Sequence, residues 1–147
     1  MKKYGCIGKK LTHSFSKEIH ARLADYEYKL IELLEDEVKP FLEKRDFEAI
    51  NVTIPYKETV IPYLDSVSDI AKRIGAVNTI VNKNGRLHGY NTDYYGIKAL
   101  IKRAVGSLEG KKVLILGTGG TGKTAFAVAT DMGASSVLFV SRNKTGD

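Results

Sequence analysis

Lys112-Val113-Leu114-Ile115-Leu116-Gly117-Thr118-Gly119-Gly120-Thr121-Gly122 is an unbroken apolar run that stops on a cluster of glycines. A run without alternation is expected to form a strand buried on both faces, as in a parallel sheet. Ala125, Phe126, Ala129 and Met132 follow at helical spacing, and Gly133 stops that helix. Ser136-Val137-Leu138-Phe139-Val140-Ser141 is a second strand. Strand, glycine turn, helix and strand together make one βαβ unit.

Two motifs overlap in the turn. Gly117, Gly119 and Gly122 fit the G-x-G-x-x-G dinucleotide fingerprint, and Gly117 through Lys123 and Thr124 fit the G-x-x-x-x-G-K-T phosphate loop. Both use glycines to let backbone amides approach a phosphate at a helix N-terminus. The fingerprint places the residue that reads the adenosine ribose about 20 positions on. Ser141-Arg142-Asn143-Lys144 stand there without a carboxylate. A carboxylate would suit NAD, whereas an arginine suits the 2′-phosphate of NADP. A phosphate-loop enzyme would also need an apolar strand ending in aspartate to hold magnesium, and none follows the loop. That rival, an ATP-binding protein using Gly117 to Thr124, stays open on these residues.

Upstream, Val77, Thr79 and Val81 lead into Lys83-Asn84-Gly85-Arg86, and Leu87 and Tyr90 lead away. Asn-Gly between two such runs is a strong hairpin signal. The hairpin brings Asn78 and Asn91 towards one end of a sheet. Tyr4 to Gly8, Tyr28 to Leu33 and Ala49 to Ile54 are further strands. Helices are expected around Ile19, Leu23 and Ala24, around Val38, Phe41 and Leu42, and around Ile70, Ala71 and Ile74. The last is capped by Ser68 and closed by Gly75. A further helix carries Ile97, Leu100, Ile101 and Ala104 on one face, with Asp93 as its natural N-cap. Gly106 to Gly110 reads as a connector. Strand–helix alternation with one hairpin predicts an α/β fold, a mixed but mainly parallel sheet flanked by helices.

The chain has 147 residues and a net charge of +6. Its basic residues come in scattered pairs with acidic residues between most of them. No stripe interleaved with aromatics marks a nucleic-acid surface. No apolar run reaches bilayer-spanning length and no signal peptide opens the chain, so a cytoplasmic protein is expected. The lone Cys6 has no disulfide partner and no companions for a metal site; it reads as buried in its strand.

Three polar runs remain. Asn51-Val52-Thr53-Ile54-Pro55-Tyr56-Lys57 begins as a strand that Pro55 stops, and Lys57 falls at the expected first turn of a helix running through Val60 and Ile61. A cation there opposes the helix dipole, so local stability does not account for it. Solvation is the ordinary alternative for a lysine. Asn91-Thr92-Asp93 is the second run and His13-Ser14-Phe15-Ser16 the third. Ser16 suits a helix N-cap, while Ser14 has no such local duty. His13 and His20 read as structural.

His13-Ser14-Phe15-Ser16, Asn51 through Lys57, Ala76-Val77-Asn78-Thr79, Gly89 through Gly96 and Gly117 to Gly122, in this order and spacing, resemble shikimate dehydrogenase, an NADP-dependent family. The resemblance implies a shikimate-binding domain over residues 1–106 and the first βαβ unit of a Rossmann-like NADP-binding domain over 107–147. It implies that Ser14 and Ser16 hold the substrate carboxylate and that Thr53, Asn78 and Asp93 bind ring hydroxyls. Lys57, beside Asp93, would be the general acid/base for 3-dehydroshikimate and shikimate. Burial and a helix N-terminus would favour a neutral lysine, and the nearby carboxylate a charged one. Gly117, Thr118, Gly119, Gly120, Thr121 and Gly122 would cradle the pyrophosphate, with Arg142 and Asn143 at the 2′-phosphate.

The chain departs from the family pattern at Lys9, where proline is usual, and at Thr118, Thr121 and Gly122, where alanines are usual. It also lacks the family's later βα units and closing helix. Two strands and one helix would leave both sheet faces and one edge open. A fragment with weak shikimate binding, little NADP binding and negligible turnover is therefore expected. It would be a monomer or homodimer, with edge pairing through Ser136 to Ser141 as a hazard. A non-catalytic module for shikimate or quinate is the remaining alternative.

Overall fold

The computed structural model describes residues 3–12, 14–23 and 25–141. The chain falls into two units, Met1–Arg73 with Val77–Asn91, and Ile74–Ala76 with Thr92–Asp147.

The first unit is built on strands β1 (Tyr4–Gly8), β2 (Tyr28–Glu32), β3 (Ala49–Val52), β4 (Ser66–Val67), β5 (Thr79–Lys83) and β6 (Arg86–Tyr90), in the spatial order β2-β1-β3-β5-β6-β4. β1 pairs in parallel with β2 and β3, whereas β5 is antiparallel to both β3 and β6. The sheet is mixed because Asn84 and Gly85 take φ of 53° and 79°, the two positive values of a tight hairpin turn. The edge strand β4 escapes sequence reading, since two residues carry no periodicity.

Alternation gives this sheet two unlike faces. Ile7, Ile50, Val52, Ile80 and Leu87 share one face with Val38 and Leu42 of α2 (Glu35–Lys44) and Ala71 of α3 (Asp69–Ile74) in a single buried core. Phe41 packs on that core and stacks on Phe47. Ser68 caps α3 as expected: its Oγ accepts the Ala71 amide at 3.4 Å. The other face carries Cys6, Tyr28, Asn51 and Thr79 by register. Leu11 and Tyr26 pack on it, and α1 (Ser16–Leu23) meets it at β2 but buries no residue: Ile19 and Leu23 lie exposed, as does Phe15 just before it.

The helix expected from Lys57 through Ile61 does not form. Residues 54–60 are turns leading to a short 3-10 turn at Ile61–Tyr63. Pro62 has no amide to offer the carbonyl of Glu58, so an α-helix cannot continue through it. Tyr56 is buried beneath these turns and donates its hydroxyl to the Leu33 carbonyl at 2.6 Å. β3 ends at Val52, two residues before the expected Ile54, and the Ile54–Pro55 peptide is cis.

The second unit holds α4 (Asp93–Val105), β7 (Lys112–Leu116), α5 (Gly120–Asp131) and β8 (Ser136–Val140). α4 packs on α5, and the two helices lie in the same compact unit. Tyr94, which the helical pattern did not single out, is its buried residue and donates to the Asp131 carboxylate at 2.6 Å. Ile97 and Ile101 are half-buried, whereas Leu100 and Ala104 are exposed. The expected N-cap is displaced by one residue: Thr92 is the cap and Asp93 the first helical residue.

β7 and β8 pair in parallel, as expected, but they are not buried on both faces. α5 covers the side of Val113, Ile115, Val137 and Phe139, with Phe126 stacked on Phe139. Leu114, Leu116, Leu138 and Val140 point the other way and are exposed, Leu116 to 80%. Among the described residues one face of this pair is covered and one is bare.

Two outcomes follow for stability. Leu42 is wholly buried in the first core, so Leu42→Ala is expected to cost about 3 kcal/mol in urea unfolding. Asp65 Oδ2 accepts the Leu87 amide at 2.7 Å and faces Arg45 at 3.0 Å, tying the segment before β4 to β6. The Leu87 amide, and after it Arg45, hold the Asp65 carboxyl below the usual carboxylate range against the effect of burial. A lowered folded value means a contribution present above the ordinary aspartate range near pH 4 and lost as pH falls through the folded value. The gap in urea midpoint between parent and Asp65→Asn is expected to close as the pH drops below about 4.

Candidate active site

β1 and β3 run in parallel and their carboxyl ends open side by side. Gly8 closes β1, and a Cβ there would fall 2.7 Å from the Thr53 methyl and 2.8 Å from Leu11 Cδ2. No side chain fits, so the loops after the two strands can touch. The Thr53 amide donates to the Ile7 carbonyl at 2.9 Å, and the Lys9 amide to the Ile54 carbonyl at 3.2 Å. Glu32, at the end of β2, accepts the Leu11 amide at 2.7 Å and anchors the first loop from the other side.

The result is a pocket of about 490 Å³ lined by Cys6, Lys10, Leu11, Thr12, Ser14, Ser16 and Thr53. Three of the expected substrate residues, Ser14, Ser16 and Thr53, thus meet in one place. Ser14 does have a local duty after all: its Oγ accepts the Ser16 amide at 3.3 Å as α1 begins. Ser16 is already helical, and the Phe15 carbonyl accepts the first helical amide, from Ile19, so Ser16 is not the N-cap. His13 lies outside the described residues.

Lys57 and Asn78 are tied to the same end of the sheet. The Lys57 carbonyl accepts the Val77 amide at 2.7 Å, and the Asn78 carbonyl accepts the Val52 amide at 2.8 Å. Lys57 is half-buried and Asn78 buried. Because no α-helix starts at Lys57, a helix dipole has no bearing on its placement. Its charge still reaches the pocket wall. Burial pushes the Cys6 thiol up to about 11, while the Lys57 ammonium and a hydrogen bond with Tyr28 pull it the other way. A thiol held protonated is no nucleophile.

Cys6, Lys10, Tyr28 and Asn51 belong to this region but were not singled out as site residues. Tyr28 donates its hydroxyl to Asn51 Oδ1 at 2.6 Å, and Asn51 Nδ2 donates to Thr79 Oγ1 at 3.2 Å. Their common parity was visible in the strands, but the register that aligns them was not. Asp93 is half-buried at the first turn of α4, in the second unit.

In the glycine turn of the second unit, Gly117 and Gly122 have backbone reasons to be glycine. Gly117 takes φ of +117°, turning the chain as β7 ends. A Cβ on Gly122 would sit 2.4 Å from the Gly117 carbonyl oxygen, while one on Gly119 would meet open space. Gly119 therefore leaves room for a group to approach the backbone just before the α5 N-terminus. Only residues 117–119 separate strand from helix. That is the tight turn of a dinucleotide fingerprint. In the rival phosphate loop the threonine hydroxyl would hold magnesium. Here Thr124 is wholly buried and donates to the Gly120 carbonyl at 2.9 Å, so it cannot serve. Arg142 and Asn143 lie outside the described residues.

Known proteins match this geometry. The family model for the shikimate dehydrogenase substrate binding domain matches residues 6–80. The shikimate dehydrogenase (NADP(+)) of Clostridium perfringens strain 13 is 41% identical over 152 positions, covering 98% of this chain and 56% of that protein. The structure of shikimate dehydrogenase 1 from Peptoclostridium difficile superposes with a TM-score of 0.89 at 39% identity, covering 95% of this chain and 54% of that one. The Thermus thermophilus shikimate 5-dehydrogenase, in complex with NADP(H) and shikimate, gives 0.85 at 32% identity, covering 97% and 56%. The chain spans about half the length of the relatives it matches. With a match over half its residues and a pocket built from the serine and threonine runs, the chain belongs to the shikimate dehydrogenase family.

Proposed function

We propose that this chain supplies the substrate-binding domain, residues 1–106, and the opening of the NADP-binding domain, 107–147, of an enzyme that reversibly reduces 3-dehydroshikimate to shikimate. The observation that carries the reading is the meeting of Ser14, Ser16 and Thr53 in one pocket whose wall feels the Lys57 charge. A small ring bearing one carboxylate and several hydroxyls needs clustered hydroxyl donors and a nearby cation. Ser14 and Ser16 bind the carboxylate; Thr53, Asn78 and Asp93 bind ring hydroxyls.

Oxidation of shikimate takes a hydride from the carbinol carbon and a proton from its hydroxyl. When bound, NADP supplies the hydride acceptor, and NADPH the donor. The open approach at Gly119 and the packed turn at Gly122 fit such a group. Gly117, Thr118, Gly119, Gly120, Thr121 and Gly122 would hold its pyrophosphate, with Arg142 and Asn143 at the 2′-phosphate. Lys57 as the free amine takes the hydroxyl proton; as ammonium it returns that proton to the carbonyl oxygen in reduction. Asp93 orients Lys57 and the reacting hydroxyl. No helix among the described residues is long and apolar enough to cross a membrane. A cytoplasmic monomer or homodimer completes the proposal.

Separate calorimetric titrations of the chain with shikimate, NADPH and Mg-ATP test the reading. Shikimate binding that weakens roughly tenfold or more in Ser14→Ala is expected, a charge-assisted hydrogen bond being lost. Heat with Mg-ATP alone would overturn it. In a shikimate-dependent NADPH-forming assay of the protein, Lys57→Ala is expected to lower kcat by at least about 100-fold while shikimate affinity changes little. A kcat near the parent's would remove Lys57 from its role.

A further inference from the structure

We propose that Tyr28 is a positioning residue for the Asn78 carboxamide, acting through Asn51 and Thr79. The inference rests on the assignment of Asn78 to a substrate ring hydroxyl.

Strand parity aligns the participants. Tyr28 on β2, Asn51 on β3 and Thr79 at the start of β5 project from the same face of the sheet. β1 lies between the first two and presents Tyr4 opposite Tyr28 but the compact Cys6 opposite Asn51, so the tyrosine hydroxyl can reach across to the asparagine. A one-way chain of hydrogen bonds follows. The Tyr28 hydroxyl donates to Asn51 Oδ1 at 2.6 Å, Asn51 Nδ2 donates to Thr79 Oγ1 at 3.2 Å, and the Thr79 hydroxyl donates to Asn78 Oδ1 at 3.2 Å.

Direction matters because a carboxamide has two unlike ends of nearly the same shape, one accepting and one donating. Tyr28 is 5% exposed, and burial, then the neighbouring Cys6, push its phenol well above its ordinary value. It remains a hydroxyl at neutral pH and has a proton to give. Its donation fills the oxygen of Asn51, which turns the nitrogen of that amide towards Thr79. Thr79, having accepted, gives its own proton to Asn78 Oδ1. The oxygen of Asn78 is thereby held against Thr79, and its N–H side is turned away as the donor that a hydroxyl oxygen can accept.

The tyrosine ring is itself held. His20 stacks on it at 3.9 Å and 13°, and His20 Nδ1 pairs with the Tyr26 hydroxyl. Tyr28→Phe therefore keeps the stacked ring and removes only the hydroxyl. With Oδ1 released, Asn51 is free to turn over, and the order passed to Thr79 and Asn78 is lost.

The test is a double-mutant cycle on shikimate affinity with Tyr28→Phe and Asn78→Ala. Tyr28→Phe is expected to weaken binding roughly tenfold in the parent background, the worth of about one hydrogen bond, and not at all in Asn78→Ala. A tyrosine that merely props the sheet would give the same loss in both backgrounds, and that additive result overturns the inference. So does Tyr28→Phe binding as tightly as the parent. A parent chain that binds no shikimate would instead sink the functional reading beneath it. A second measurement needs no ligand. The Asn78 side-chain amide signals in a ¹⁵N-correlation spectrum, identified by their loss in Asn78→Ala, are expected to move in Tyr28→Phe. Unmoved signals overturn the inference.

Discussion

The close approach at Gly8 is the constraint on which the site depends. Two parallel strands end side by side, and their continuing loops must pass within van der Waals contact to form one pocket instead of two separate turns. The missing Cβ leaves room for the Thr53 methyl and the Leu11 side chain, each under 3 Å from where it would stand. The Thr53 and Lys9 amides then stitch the two loops together. Ser14 arrives on one loop, with Ser16 at the start of the helix that follows it, and Thr53 and Lys57 on the other. A larger residue at that one position would have to push one arm of the pocket away.

The sheet beneath divides its labour by face. One face is mainly apolar and is covered by α2, α3 and the turns around Tyr56, which supplies the burial that offsets chain entropy. The other face combines a smaller buried cluster of Cys6, Leu11 and Tyr28 with polar groups. Tyr28, Asn51, Thr79 and Asn78 form a connected row there, each partnered by the next. A polar row of this kind is tolerated only when its members are satisfied. No buried side-chain nitrogen or oxygen among the described residues lacks a partner.

In the second unit the same few residues satisfied two motifs, and geometry separated them. Spacing alone cannot say where a helix begins. Once α5 is seen to start at Gly120, the turn is too short for a wide phosphate loop, and the Thr124 hydroxyl is committed to the helix backbone. The bare side of β7 and β8 corrects an expectation of a different kind. An unbroken apolar strand says that both faces can be buried, but it does not say what lies over them.

Much of this molecule was legible in the amino-acid order, because local chemistry dictates it. Alternation marked the strands, Asn84-Gly85 demanded a hairpin, Ser68 and Gly75 bounded α3, and the glycines after Leu116 called for a tight turn. Ser14, Ser16 and Thr53 were joined as partners only by the resemblance of the polar runs to shikimate dehydrogenase, not by their local chemistry. Local chemistry misled where two signals competed: Lys57 looked like a helix start, yet Pro62 forbade the helix, and the apolar stripe of α1 leaves Ile19 and Leu23 exposed. Tertiary structure alone decided the register of β2, β1, β3 and β5. Register sets which side chains on neighbouring strands stand opposite one another, and no property of a single strand encodes it. That is why Cys6 passed for a plain core residue and Tyr28 and Asn51 for ordinary strand positions, although all three stand at the pocket or directly behind it.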